Sequence, residues 1–169
     1  MTDPTSRPGE RIAKVIARAG LASRRDAERM VTQGRVTVNG KAISDVALNV
    51  EPKDRVAVDG TPLPAPEGAR VWLYHKPVGL VVSEKDAEGR ETVFDALRPT
   101  LGRVLSVGRL DLNSEGLLLL TNDGGLKRRL ELPATGWLRR YRVRVNGTPD
   151  DAALDRLRAG IEVAGEDGP

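Results

Sequence analysis

Apolar positions near the start of the chain recur at helical spacing and then switch to alternation. Ile12, Val15, Ile16 and Leu21 share one helical face, and Gly20 stands where a left-handed cap would end the segment. Ser23 reads as the cap of a second helix, whose body RRDAERMVTQG places Ala27, Met30 and Val31 on one side and stops at Gly34. In RVTVNGKAI the period changes to two over Val36 and Val38 and meets Asn39-Gly40, a strong hairpin signal. A further strand is predicted from Arg55 to Val58. Three prolines between Pro62 and Glu67 then break the pattern. The spacing predicts a small helix-helix-hairpin domain over residues 1–60 and a linker over 61–68.

From residue 69 to 169 the pattern is mixed α and β, with a mainly antiparallel sheet and flanking helices. RVWLYHKPVGLVVS reads as a strand interrupted by Pro77 and Gly79, and TVFDALRP as a short helix. RVLSV and GLLLLTN are two more strands, the second read as buried, and GGLKRRLEL is a helix closed before Pro133 and capped by Asn122 or Asp123. WLRRYRVRV alternates Tyr141, Val143 and Val145 with Arg140, Arg142 and Arg144, which predicts a strand with one apolar and one basic face. TPDDAALDRLRAG is a last helix, with Thr148 as cap, Pro149 at its first position and Gly160 past its end. IEVAGEDGP begins a strand and stops, so this α+β domain reads as cut short at its C-terminus.

Composition narrows the class. The 169 residues contain no cysteine, which excludes a disulfide scaffold, a thiolate nucleophile and a cysteine-ligated zinc, and fits a reducing cytoplasm. No run approaches a membrane span, and the N-terminal residues lack the apolar core of a secretory signal. The net charge is only +3, but its distribution is uneven. Between Arg11 and Lys41 eight basic residues face two acidic ones, Asp26 and Glu28. Arg24, Arg25, Arg29 and Arg35 sit at a helix start, on its outer face and entering the hairpin, where they could track one phosphate backbone.

The segment VGRLDLNSEGLLLLTNDGG sets an arginine and two short acidic clusters around four leucines. Asp111, Asn113, Glu115 and Gly116 match the first positions of a calcium loop, but Asn122 stands where a bidentate Glu is required and leucines fill the intervening positions. Gly spacing for a P-loop or a dinucleotide fingerprint is absent, and with His75 the only histidine a Ser-His-Asp triad is set aside. The chemistry falls to carboxylate, Tyr, Lys or Arg. If the GRLD segment is extended, Arg109 shares a side with Asp111 and relieves the cost of burying it beside Leu117 to Leu120.

RIAKVIARAGLASRRDAERMVTQGRVTVNGKAI resembles the small RNA-binding domain named after ribosomal protein S4, in its helix order, its S-R-R-x-A helix start and its G-x-V-x-V-N-G hairpin. GRLDLNSEGLLLLTNDG is similar to the signature of the pseudouridine synthases, in the RsuA/RluB family that modifies ribosomal RNA and carries the S4-like domain in front. The likeness extends through LYHKPVGLVVS and ELPATGWLRRYRVRV. It implies site-specific isomerisation of uridine to pseudouridine in ribosomal RNA, with a lean to the large subunit, by a monomer that binds RNA, no membrane and no metal, and uses no cofactor. Asp111 then matches the aspartate that acts at the ribose, covalently or by assisting a glycal, after the nucleotide leaves its stack. Tyr141 matches the tyrosine that stacks on the uracil, Arg109 a contact to RNA or the extruded base's gap, Lys76 the lysine of the K-P-x-G turn, and Arg139 a cation where the family often has Lys. Family members continue past the end of this chain, which implies an incomplete catalytic domain. A different class, a non-catalytic RNA-binding or ribosome-assembly protein using only the N-terminal domain, is the alternative.

Overall fold

The computed structural model describes residues 9–65 and 67–162. The chain divides into two compact units, one running up to Gly136 and the other from Trp137 onward. The first unit opens with a short strand β1 (Glu10–Arg11) and helices α1 (Ile12–Arg18) and α2 (Arg24–Thr32). Ser23 caps α2 by accepting the Asp26 N–H at 3.1 Å, while its hydroxyl donates back to the Asp26 carboxylate at 2.6 Å. Ile12, Ala13 and Ile16 on α1 meet Ala27 and Val31 on α2, all buried. Leu21 is exposed and lies off that face. The predicted hairpin forms from β2 (Val36–Val38) and β3 (Lys41–Ala42), with Asn39 and Gly40 both at positive φ as a two-residue turn of the favoured hand requires. With β4 (Asn49–Val50), β5 (Val56–Val58) and β6 (Thr61–Pro62), it gives a four-stranded sheet ordered β3-β2-β5-β6 and a separate β1-β4 pair. Val36, Val50, Val56 and Val58 complete this core.

A second core is built on a three-stranded antiparallel sheet ordered β7-β9-β8, from β7 (Val71–Lys76), β8 (Leu105–Val107) and β9 (Gly116–Thr121). Between β7 and β8 lies α3 (Val93–Leu101), started by a capping box in which Thr92 and Asp95 satisfy each other's backbone N–H groups. Its buried Val93 and Phe94 pack with Val82, Val104, Leu118 and Leu120, and each fully buried aliphatic side chain contributes about 1.5–3 kcal/mol. After β9, Asp123 caps α4 (Gly124–Glu131) by accepting the Leu126 N–H at 2.6 Å, and a 3-10 turn at Pro133–Thr135 follows. The neighbouring Asn122 instead ties down the start of β7, accepting from the Arg70 N–H and donating to the Gly68 carbonyl.

Three expectations are corrected. GLLLLTN is buried on one side only: Leu118 is 2 % exposed but Leu117 is 65 % exposed, because α3 covers a single face of the sheet. The segment 137–145 keeps its alternation but forms no strand and is exposed throughout, since no ladder pairs it with any described strand and an isolated strand has nothing to satisfy its backbone. The last helix, α5 (Asp151–Ala159), is capped by Asp150 rather than Thr148, the Asp150 carboxylate accepting the Ala153 N–H at 2.7 Å. Residues 161–162 are irregular, and the rest of the predicted final strand lies outside the described residues. No described helix is long and apolar enough to cross a membrane.

Candidate active site

The loop between β8 and β9 carries Arg109 and Asp111. It is bracketed by Gly108 and Gly116, at φ values of 74° and 125° that side-chain-bearing residues rarely adopt. Within it, the Asp111 carbonyl accepts the Ser114 N–H at 3.0 Å, closing a turn, and Leu110 packs on the second core. The carboxylate of Asp111 is therefore carried on a folded turn rather than on an extended strand. It is exposed, not buried beside the leucines as expected, and it makes no ion pair with Arg109, which is also exposed. Residues 109–111 belong to no strand, and the turn begins only at Asp111.

The cation near Asp111 is Lys76, at the start of the K-P-x-G turn. Lys76 is 0 % exposed, at the end of β7 on the same face as Trp72 and Tyr74, opposite Gly116. Its ammonium donates to the carbonyls of Pro77 at 3.0 Å, Asp111 at 3.0 Å and Ser114 at 2.8 Å, with the Leu112 carbonyl at 3.5 Å. Three donors thus meet three close acceptors, which is what makes a buried ammonium tolerable. Burial pushes the Lys76 ammonium below the usual lysine range, and the nearby negative charge of Asp111 opposes that shift. Gly79, at φ 90°, donates its N–H to the Leu112 carbonyl at 2.8 Å. The K-P-x-G turn thus holds the Asp111 loop from beneath. In this position the Lys76 side chain is buried rather than solvated.

The remaining predicted residues lie on other elements. Arg29 pairs with Asp26, and Arg35 makes a two-pronged bond to Asp59 at 2.9 and 2.5 Å, which holds the Asp59 carboxyl below the usual carboxylate range. Arg24 and Arg25 are exposed and make no hydrogen bond or ion pair among the described residues. Arg139 and Tyr141 lie in the second unit, on the exposed segment 137–145. The residues that sequence reasoning missed are Lys127 and Glu131, one helical turn apart on α4. Glu131 accepts the Gly108 N–H, and Lys127 bonds Glu131 and the Ser106 carbonyl. Their spacing is visible as an i, i+4 pair, but their contact with the loop is tertiary. Among the described residues no group of three or more His, Asp or Glu side chains is placed to hold a metal ion. The site presents the exposed carboxylate of Asp111, with that of Glu115 also exposed, on a loop whose backbone is fixed from two sides.

Comparison with known proteins finds two family matches along the chain. Residues 10–56 match the S4 domain family, and residues 70–163 match the RNA pseudouridylate synthase family. A Rickettsia felis protein named as an uncharacterized RNA pseudouridine synthase is 48% identical over 141 residues, 83% of this chain and 61% of that protein. Ribosomal large subunit pseudouridine synthase B of Pseudomonas aeruginosa is 44% identical over 166 residues, 95% of this chain and 42% of its own length. The corresponding Haemophilus influenzae protein is 46% identical over 166 residues, 95% of this chain and 46% of its own length. The chain therefore spans less than two thirds of the length of these relatives.

Proposed function

Because the chain belongs to the RNA pseudouridylate synthase family, we propose that it isomerises uridine to pseudouridine in ribosomal RNA, with Asp111 acting at the ribose of an extruded nucleotide. The observation that carries this reading is the state of Asp111: its carbonyl is tied to Lys76 and Ser114 while its carboxylate stays exposed and, among the described residues, unpaired. Isomerisation must detach uracil, turn it and rejoin it through carbon, so the site needs a fixed anion that can reach the sugar once the base has left its stack. A carboxylate already engaged with an internal cation would first have to break that pair. In this reading Arg109, exposed two residues earlier, contacts RNA from the same loop.

In this proposal the first sixty residues bind RNA, 61–68 link, and 69–169 carry the chemistry, with Tyr141 and Arg139 contributing to the uracil pocket. Relatives named for the large ribosomal subunit favour its RNA as the substrate. Arg24, Arg25, Arg29 and Arg35 supply phosphate contacts in the RNA-binding part, and the chain works in the cytoplasm as a monomer without metal or organic cofactor.

The deciding experiment is pseudouridine mapping on unmodified ribosomal RNA incubated with the chain and with Asp111→Asn. Product at a defined large-subunit site, lost in the variant while RNA affinity is kept, is the expected result. Equal turnover in the variant would remove Asp111 from the chemistry. Tight RNA binding without any product from the unaltered chain would overturn the enzymatic reading.

A further inference from the structure

Two hydrogen bonds join the end of α4 to the junction where the chain leaves β8, and a third links their two side chains within α4. Glu131 Oε1 accepts the Gly108 N–H at 2.7 Å, and the same oxygen accepts from Lys127 Nζ at 2.6 Å. Lys127 also donates to the Ser106 carbonyl at 2.5 Å. Both side chains are half-buried, 32% exposed. β8 ends at Val107, which leaves the Gly108 N–H just beyond the ladder, without a cross-strand carbonyl. The Glu131 carboxylate takes the place of that missing acceptor.

Gly108 is the last residue before the segment that carries Asp111. It adopts φ 74°, and as glycine it is the residue of the loop freest to turn elsewhere. A rotation there would swing Arg109, Leu110 and Asp111 together. Lys76 holds the loop's other side, from Asp111 to Ser114, but makes no bond to Gly108. The loop thus has two clamps of opposite charge from different elements: an ammonium on β7 that binds carbonyls, and a carboxylate on α4 that binds an N–H.

We propose that Glu131 is a positioning residue for the Asp111 loop, setting the direction in which the chain leaves β8, and that Lys127 positions Glu131 by tethering it to Ser106. The inference rests on the reading of Asp111 as the group that acts at the ribose. Glu131 acts through Gly108 and does not contact the reacting atoms.

The test combines amide hydrogen exchange by NMR with turnover on ribosomal RNA, using the full chain, Glu131→Ala, Glu131→Gln, Lys127→Met and Asp111→Asn. In Glu131→Ala the Gly108 amide is expected to exchange on the order of ten- to a hundredfold faster, the effect of losing a bond to a charged group, while amides of β9 stay protected. Turnover number is expected to fall by about ten- to a hundredfold with KM for RNA unchanged, because small misplacements of a reacting group are costly. Glu131→Gln keeps an acceptor oxygen and recovers part of both effects, and Lys127→Met falls between. Unchanged Gly108 exchange in Glu131→Ala, an unchanged turnover number, or indistinguishable Ala and Gln variants would each overturn the proposal. Absence of product from the unaltered chain would instead overturn the role of Asp111, and with it the catalytic meaning of the clamp, while Gly108 exchange still reports whether the clamp exists.

Discussion

A lysine beside a Pro-x-Gly turn reads as solvated, because ammonium groups rarely surrender water and their long stems usually carry the charge outward. Lys76 runs the other way because the Asp111 loop folds over it and turns backbone carbonyls inward. That arrangement is invisible in sequence, since all its acceptors but the Pro77 carbonyl are main-chain atoms more than thirty residues away and any residue types could supply them. The identity of Asp111 is legible from GRLD, but its exposure is not: the leucines that suggest burial alternate between a covered and an open face. Replacing Lys76 by Met tests the cage. The Asp111 carbonyl would keep the Ser114 N–H and the Leu112 carbonyl the Gly79 N–H, but the Pro77 and Ser114 carbonyls would lose their donor. Acceptors left without a donor cost up to about 1–3 kcal/mol each, least for the exposed Pro77, and the loss is partly offset by ending the desolvation of the ammonium. A net loss of about 1–3 kcal/mol in urea unfolding is expected, together with reduced turnover at unchanged RNA affinity. Stability and turnover both equal to the unaltered chain would show that the cage holds nothing in place.

Elements whose signals lie within a few residues are legible, and those that need distant partners are not. Ser23 and Asp123 cap helices three residues ahead, and Asn39-Gly40 closes its own hairpin. The segment 137–145 carries a strand's alternation, yet alternation supplies no partner for the backbone. On α2 the local pattern predicts a row of phosphate-binding cations, and the structure separates them. Arg29 and Arg35 are engaged by Asp26 and Asp59, so RNA phosphate must compete with a carboxylate already in place. Arg24 and Arg25 have no such competitor among the described residues. The double variant Arg24→Ala/Arg25→Ala is therefore expected to flatten the plot of log affinity against log salt by roughly 0.7–0.9 per lost phosphate contact, with Arg35→Ala changing the slope less. Titrations of ribosomal RNA fragments at several salt concentrations measure this directly. A slope unchanged in the double variant would take the start of α2 out of the RNA footprint.

At the scale of the whole molecule, two cores form from residues that never mix in sequence, one from Ile12 to Val58 and one from Val82 to Leu120. The first is closed by helices and short strands, whereas the second leaves half its sheet uncovered. On β7, Trp72 and Tyr74 face the core while Leu73, 76 % exposed, faces away. Register puts Leu73 opposite Leu119 and His75 opposite Leu117, so the apolar side chains of the open face are neighbours rather than scattered. Isolated exposed leucines are ordinary, but contiguous ones on a flat sheet attract other apolar surfaces. If this face is open to water in solution, polar groups there cost the fold nothing. Leu73→Lys/Leu117→Glu places opposite charges on diagonal neighbours and is expected to change unfolding free energy by less than about 0.5 kcal/mol, as for other surface substitutions. Binding of a dye that reports exposed apolar surface should fall at the same time. A loss of more than about 2 kcal/mol would mean that these leucines are packed against something, since removing an aliphatic side chain from contact costs that much only when it is buried. Stability is the more telling of the two readouts: dye binding depends on any apolar surface, whereas an unaltered melt requires this particular face to be wet.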